Sequence, residues 1–299
     1  MTSYGRRGFL LRTAAAALAP RDAVPTATQA GMRLGLIVSV GNDPEGAIAR
    51  VHDLGLPTCQ ASVADFGDAM VRGLRVALER HRVEATAINT SGPGPQVYDF
   101  YQGPQTIGVV PRRYRRERID RLKRSSDFAK KLGIPAIHTH CGFIPEDPND
   151  PLYQETVDAI REVVGHCRAN GQTFLYETGQ ETPITLLRTI VDVGLDNQGV
   201  NLDTANLILY GKGHPVDALD VIGRYVRGLH AKDGLFPTDP KKLGREVPIG
   251  EGKADFPRII ARLKQLDYRG PITIEREISG PKQIEDIRKA KEYLEKLMA

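Results

Sequence analysis

The segment QTFLYETGQETPITLLRTIVDVGLDNQGVNLD, residues 172–203, holds one whole unit of the fold. Residues 172–177 are a short run rich in aromatic and β-branched side chains, which suits a strand. Thr182 followed by Pro183 marks a helix start: a Thr side chain accepts from free N–H groups of the first turn, and Pro has none to lose there. The helical pattern runs over 183–193, and residues 199–203 (GVNLD) are strand-like again. The order is strand, helix, strand, and each strand ends on a carboxylate, Glu177 and Asp203.

The same alternation extends in both directions. Upstream, residues 33–40, 57–63, 83–90 and 135–140 read as strands. Helical stretches over 44–54, 66–81, 112–132 and 152–170 separate them, with a Gly/Pro/Tyr-rich loop over 91–111. Downstream, 226–231 and 271–276 read as strands, and 216–224, 256–266 and 281–298 as helices. The loop over 234–253 is long enough for a lid. Eight strand–helix units in roughly 265 residues match a single (β/α)8 TIM barrel, an α/β fold occupying 32–299. An open doubly wound sheet would carry a glycine-rich phosphate loop after its first strand. Val40-Gly41-Asn42-Asp43-Pro44 is not one.

Composition narrows the partners. A net charge of +4 on 299 residues is slight, which argues against nucleic acid. No apolar run reaches the roughly 18 residues of a membrane span. Cys59, Cys141 and Cys167 are too scattered for a zinc knuckle or a disulfide framework and read as buried thiols. The basic run over 112–123 reads as a solvated helix face, with an oligomer contact as the alternative, so homo-oligomerisation stays open. Residues 1–31 differ in character: Arg6-Arg7-Gly8-Phe9-Leu10, a short apolar stretch over 13–19 and a Pro/Thr/Ala-rich segment resemble a twin-arginine export signal. The expectation is a leader on a periplasmic or otherwise extracytoplasmic protein; a chance Arg pair on a disordered tail would leave it cytoplasmic.

A barrel of this kind works at the carboxyl ends of its strands. There stand Glu177, Asp203, His230 and Glu275, with His138 and His140 at the end of strand four. Side chains alternate faces along a strand, so an inward His230 takes Gly228 and Lys232 inward, and an inward Asp203 takes Asn201. Three carboxylates and one imidazole converging from four strands form an oxygen-rich set suited to one divalent ion, Mn²⁺ first, with Mg²⁺, Co²⁺ or Zn²⁺ as alternatives. Singly, each residue reads as a cap, an ion pair or a core histidine. Lys232 reads either as a group that polarises a substrate oxygen or as the ion-pair partner of a ligand carboxylate. Tyr98 and Phe100 on the 91–111 loop read as a surface for stacking on a sugar, or as packing on the barrel rim.

With Tyr176-Glu177-Thr178, Asn201-Leu202-Asp203, Leu229-His230-Ala231-Lys232-Asp233, Pro248-Ile249-Gly250-Glu251-Gly252 and Thr273-Ile274-Glu275 in this order, the chain resembles the xylose-isomerase-like sugar isomerase/epimerase superfamily. The resemblance covers roughly residues 33–298. It implies that Glu177, Asp203, His230 and Glu275 hold the metal, and that Glu177 and Glu275 also move the proton next to a carbonyl through a metal-stabilised enediolate. A sugar or keto-sugar isomerase or epimerase follows, with a small carbohydrate as partner. The alternatives are a lyase or dehydratase acting on a 3-keto-glycoside or inosose by the same enolisation, and a non-catalytic sugar-binding barrel. Two positions depart from the epimerase pattern: Asn206 stands where those enzymes carry a histidine, and Lys232-Asp233 where an arginine is expected. Both bear on substrate contacts, as do His138 and His140. Replacement of that histidine also argues against the multi-zinc nuclease branch of the superfamily.

Overall fold

Seven strands appear in turn before the last loop: β1 (Arg33–Ser39), β2 (Thr58–Ser62), β3 (Glu84–Asn89), β4 (Ala136–Thr139), β5 (Thr173–Glu177), β6 (Gln198–Asp203) and β7 (Val226–Ala231). A small antiparallel hairpin follows, β8 (Asp233–Leu235) with β9 (Arg245–Val247), and then the eighth barrel strand, β10 (Pro271–Ile274). The barrel strands are parallel and close in the order β1-β10-β7-β6-β5-β4-β3-β2. This computed structural model describes residues 31–299. The expected leader thus lies outside the described residues except for Gly31. Among the described residues no helix is long and apolar enough to cross a membrane.

The outer layer consists of α1 (Pro44–Asp53), α2 (Asp68–His81), α3 (Gly103–Thr106), α4 (Arg112–Lys131), α5 (Pro151–Ala169), α6 (Pro183–Val193), α7 (Asn206–Leu209), α8 (Pro215–Ile222), α9 (Phe256–Gln265) and α10 (Pro281–Met298). Local chemistry sets the helix starts. Asp43, Asp150 and Thr182 each accept a backbone N–H of the first turn, and a Pro follows each of them. The main hydrophobic core lies between strands and helices, whereas Ala87, Ala136 and Leu175 form a separate small apolar cluster.

Three features differ from the sequence reading. Strand eight stops at Ile274 because β1 pairs only that far, although the Glu275 N–H still donates to Ala231 O at 3.1 Å. Part of the expected lid is the β8–β9 hairpin, and the loop after it is pinned by Asp233, whose carboxylate accepts the N–H groups of Gly234, Gly250, Gly252 and Ala254 at 2.8–3.0 Å. Gly252 is required there, since a Cβ would lie 2.0 Å from Asp233 Oδ1. The basic face of α4 is solvated at Arg112 and Arg116, as expected, and pairs along α5, Arg112 and Arg115 with Glu155, Arg116 and Lys123 with Glu162. Arg118 turns inward, wholly buried, and donates to the carbonyls of Pro93, Pro95 and Gly108, which fastens the 91–111 loop to the barrel rim.

Candidate metal centre and active site

Strand ends deliver four potential ligands to one point. Glu177 closes β5, Asp203 closes β6, His230 lies near the end of β7, and Glu275 follows β10. Parallel register sets Asp203 beside His230, and His230 beside Thr273. His230 Nδ1 lies 3.0 Å from Glu177 Oε1, 3.1 Å from Glu275 Oε2 and 3.6 Å from Asp203 Oδ2. One ligand atom from each of the four lies within 4.8 Å of all the others. Ligands placed about 2.1 Å from a common ion stand roughly 3.0–3.4 Å apart, so the spacing fits a single small divalent cation.

Orphaned atoms support that fit. Asp203 Oδ2, His230 Nδ1 and Glu275 Oε2 are buried without a hydrogen-bond partner and are the atoms that face the centre of the cluster. Asp203 spends its other oxygen, Oδ1, on the N–H groups of Ala205 and Asn206, at 2.9 and 2.7 Å. A buried polar atom left unpaired is costly, and a cation would satisfy all three at once. Charge agrees. The three carboxylates of the cluster have one buried ammonium nearby, Lys232, whose Nζ is 3.5 Å from Glu275 and 3.7 Å from Asp203.

The protonation states follow from this crowding. Burial pushes the Asp203 carboxyl up to about 6, although Lys232 and His230 pull it down. Burial also opposes ionisation of Glu177, but the neighbouring imidazoles of His140, His230 and His138 hold it well below the usual carboxylate range. Glu275 is lowered too, against burial, mainly by Lys232 and His230. Burial disfavours the Lys232 ammonium, yet Glu275, Asp203 and Glu277 keep its pKa well above the ordinary value.

A cavity of about 360 Å³ opens on this cluster, bordered by Glu177, Glu275, Tyr98, His140, Asn206 and Glu277. His140 Nε2 lies 3.5 Å from Glu177 Oε1, and Tyr98 packs edge-on against its ring. His138 does not border the cavity. It is fully buried behind Glu177, with Nδ1 at 3.1 Å from Oε2. His138, Glu177 and His230 also come close enough together to form a second potential ligand group, which shares two members with the first. Phe100 packs on Tyr210 at 6.3 Å between centroids, and it is Tyr210 that borders the cavity. Lys232 is buried and donates to Glu277 at 2.7 Å and Asn206 at 3.2 Å. Glu277 and Gln60 escaped the sequence reading. Glu277 lies past the expected strand end, and a lone amide within a strand carries no signal of its own.

Comparison with known proteins agrees with this architecture. The sequence profile of the xylose isomerase-like TIM barrel matches residues 48–297. The chain belongs to the xylose isomerase-like TIM-barrel family. Within it, the chain is 34% identical to a xylose isomerase domain protein from Planctomyces limnophilus, with a TM-score of 0.85 over 89% of this chain and 97% of that one. A D-tagatose 3-epimerase-like protein shares the fold at 20% identity and a TM-score of 0.68, covering 89% and 97% of the two chains. A family protein from Mycobacterium smegmatis, solved in complex with magnesium, does so at 20% identity and 0.65, covering 84% and 86%. An uncharacterised protein of Methanocaldococcus jannaschii is 25% identical over 197 residues, which span 62% of this chain and 64% of that relative.

Proposed function

We propose that this family member is a divalent-metal-dependent isomerase or epimerase of a neutral sugar or keto-sugar, working by proton transfer next to a carbonyl. The observation that carries the proposal is the pairing of Glu177 and Glu275 across His230 Nδ1, at 3.0 and 3.1 Å, at the border of a cavity large enough for a monosaccharide. Glu177, Asp203, His230 and Glu275 would hold the ion, and a bound ion supplies positive charge to an oxygen that becomes anionic as the neighbouring carbon loses its proton. Glu177 and Glu275 come from strands separated by β6 and β7, so they can address a substrate from two sides. One takes the proton and the other returns one; inversion results when they serve opposite faces. His138 and His140 hold Glu177 ionised and oriented, and the 91–111 loop, fastened by Arg118, limits access of water.

The lining supports a neutral substrate. Asn89, Ser91, Gln96 and Asn206 offer uncharged hydrogen-bonding groups, and among the described residues no Lys or Arg borders the cavity. A relative named for ketose epimerisation points the same way. The test is proton NMR in heavy water with the manganese-loaded protein and a panel of ketohexoses, inososes and 3-keto-glycosides. The proposal expects deuterium at a carbon next to a carbonyl and an epimer or isomer as product. Release of an aglycone or of water would replace it with the lyase reading. No exchange with any member of the panel, with the ion shown to be bound, would count against catalysis. We also propose export, on the Arg6-Arg7 leader alone; a full-length protein found only in the cytoplasmic fraction would refute it.

A further inference from the structure

We propose that Gln60 is a positioning residue for the metal centre: it reaches across the barrel, keeps the His230 proton on Nε2, and thereby offers the Nδ1 lone pair to the ion. The inference rests on the metal-centre reading above. Gln60 lies in the middle of β2 and is completely buried, at a place where barrel interiors usually carry branched aliphatic residues. A buried amide is costly unless its donor and acceptor are both used. Here both are used, and by two strands that β2 does not touch. Gln60 Nε2 donates to Asn201 Oδ1 on β6 at 3.0 Å, and Gln60 Oε1 stands 2.6 Å from His230 Nε2 on β7. In the closed strand order β2 and β6 are diametrically opposite, so the amide spans the lumen.

In this orientation the amide donates to Asn201 and presents its oxygen to His230. With Nε2 committed there, Oε1 faces His230, and an oxygen at that distance requires His230 Nε2 to carry the hydrogen. In the neutral imidazole, the form that can ligate an ion, Nδ1 is then the unprotonated nitrogen, facing Glu177, Asp203 and Glu275. Were the amide reversed, its N–H groups would face Nε2. The imidazole proton would then belong on Nδ1, in the space the ion needs. The carboxylate ligands have two equivalent oxygens and can adjust. The imidazole cannot, which is why a fixed tautomer matters here.

A second observation shows the lumen shaped around the amide pair. Gly228 sits on β7 two residues before His230 and faces the same way. A Cβ there would lie 2.4 Å from Asn201 Oδ1 and 3.3 Å from Gln60 Nε2. His138 packs edge-on against the His230 ring at 5.3 Å and 83°, which holds the plane that Gln60 addresses.

The experiment is calorimetric titration of the full chain with Mn²⁺, with thermal melts as a fold control. Gln60→Leu should stay folded and bind Mn²⁺ about 10–100-fold more weakly, the usual cost of losing a partner to a ligating histidine. Gln60→Glu keeps an acceptor and should restore affinity to within about threefold of the parent or tighter. Thr273→Val alters a buried hydroxyl beside His230 that makes no hydrogen bond, and should change affinity by less than about threefold. Should Gln60→Leu fail to fold, Gly228→Ala displaces the amide pair with Gln60 and His230 retained, and should show the same loss. Long-range proton–nitrogen NMR of the zinc-loaded protein should find His230 protonated at Nε2. Parent-like affinity in folded Gln60→Leu, an equal loss in Thr273→Val, or a proton on Nδ1 would each overturn the inference. Parent protein that binds none of Mn²⁺, Mg²⁺, Co²⁺ and Zn²⁺ would overturn it together with the metal-centre reading, a result distinct from the other three.

Discussion

The two halves of the barrel are built differently. β5, β6, β7 and β10 bring every residue of the four-residue cluster, Glu177, Asp203, His230 and Glu275, together with the buried Lys232. β1 to β4 place no acidic residue in that cluster; they offer Gln60, Asn89, His138 and His140, neutral groups or imidazoles that touch the ligands or border the cavity. One half carries the charge and the other orients it. Charged side chains in a low-dielectric interior persist only where something balances them, whereas amides and imidazoles can be buried at the cost of satisfied hydrogen bonds. The ligand half is therefore expected to govern whether the ion binds and the proton moves, and the other half to govern how well.

The sharpest way to break this division is Glu275→Gln. It should lower carbon-bound proton exchange by about 10²–10⁴-fold with the fold intact. Full activity by deuterium exchange would remove Glu275 from the chemistry.

Glu181 asks whether every buried carboxylate of the ligand half is a ligand. It stands four residues after Glu177, is buried, and is pushed up to about 8 by burial, against an ordinary 4.5. A carboxyl raised on folding contributes stability that is complete below about pH 4.5 and is lost as pH climbs to about 8. Glu181→Gln should cancel that loss, making the variant more stable than the parent at pH 8 by on the order of 4 kcal/mol in urea unfolding. Equal stabilities of the two proteins at pH 5 and at pH 8 would mean that Glu181 is ionised in the fold.

His138→Leu tests the orienting half. With Glu177 Oε2 released, kcat should fall by about 10–100-fold and KM should hardly move. A rise in KM alone would make His138 a substrate contact. The smallest effect belongs to the outer layer. Arg116→Ala removes exposed pairs with Asp120 and Glu162 and should cost less than about 1 kcal/mol in thermal unfolding, with unchanged exchange kinetics.

Much of this could be read from the chain. Alternating strand and helix patterns, caps such as Thr182-Pro183, and acids or a histidine at four strand ends locate the barrel and the four clustered residues, because strand periodicity and the rarity of buried charge are local properties. Parity also places Lys232 inward, where it is buried between Asp203, Glu275 and Glu277. Other features depended on closure of the barrel. Gln60 in TCQAS looks like any strand amide until β2 lies opposite β6. His138 and His140 share a strand and a parity, and only the depth of each in the barrel separates the buried support of Glu177 from the residue at the cavity. Arg118 looks like one more cation on a basic helix until the 91–111 loop turns three carbonyls toward it. The sequence determined which residues carry charge and where strands end; the tertiary structure alone decided which neutral groups meet them. A buried charge announces its need for a partner, but an amide's hydrogen bonds acquire meaning only from what the fold puts within 3 Å.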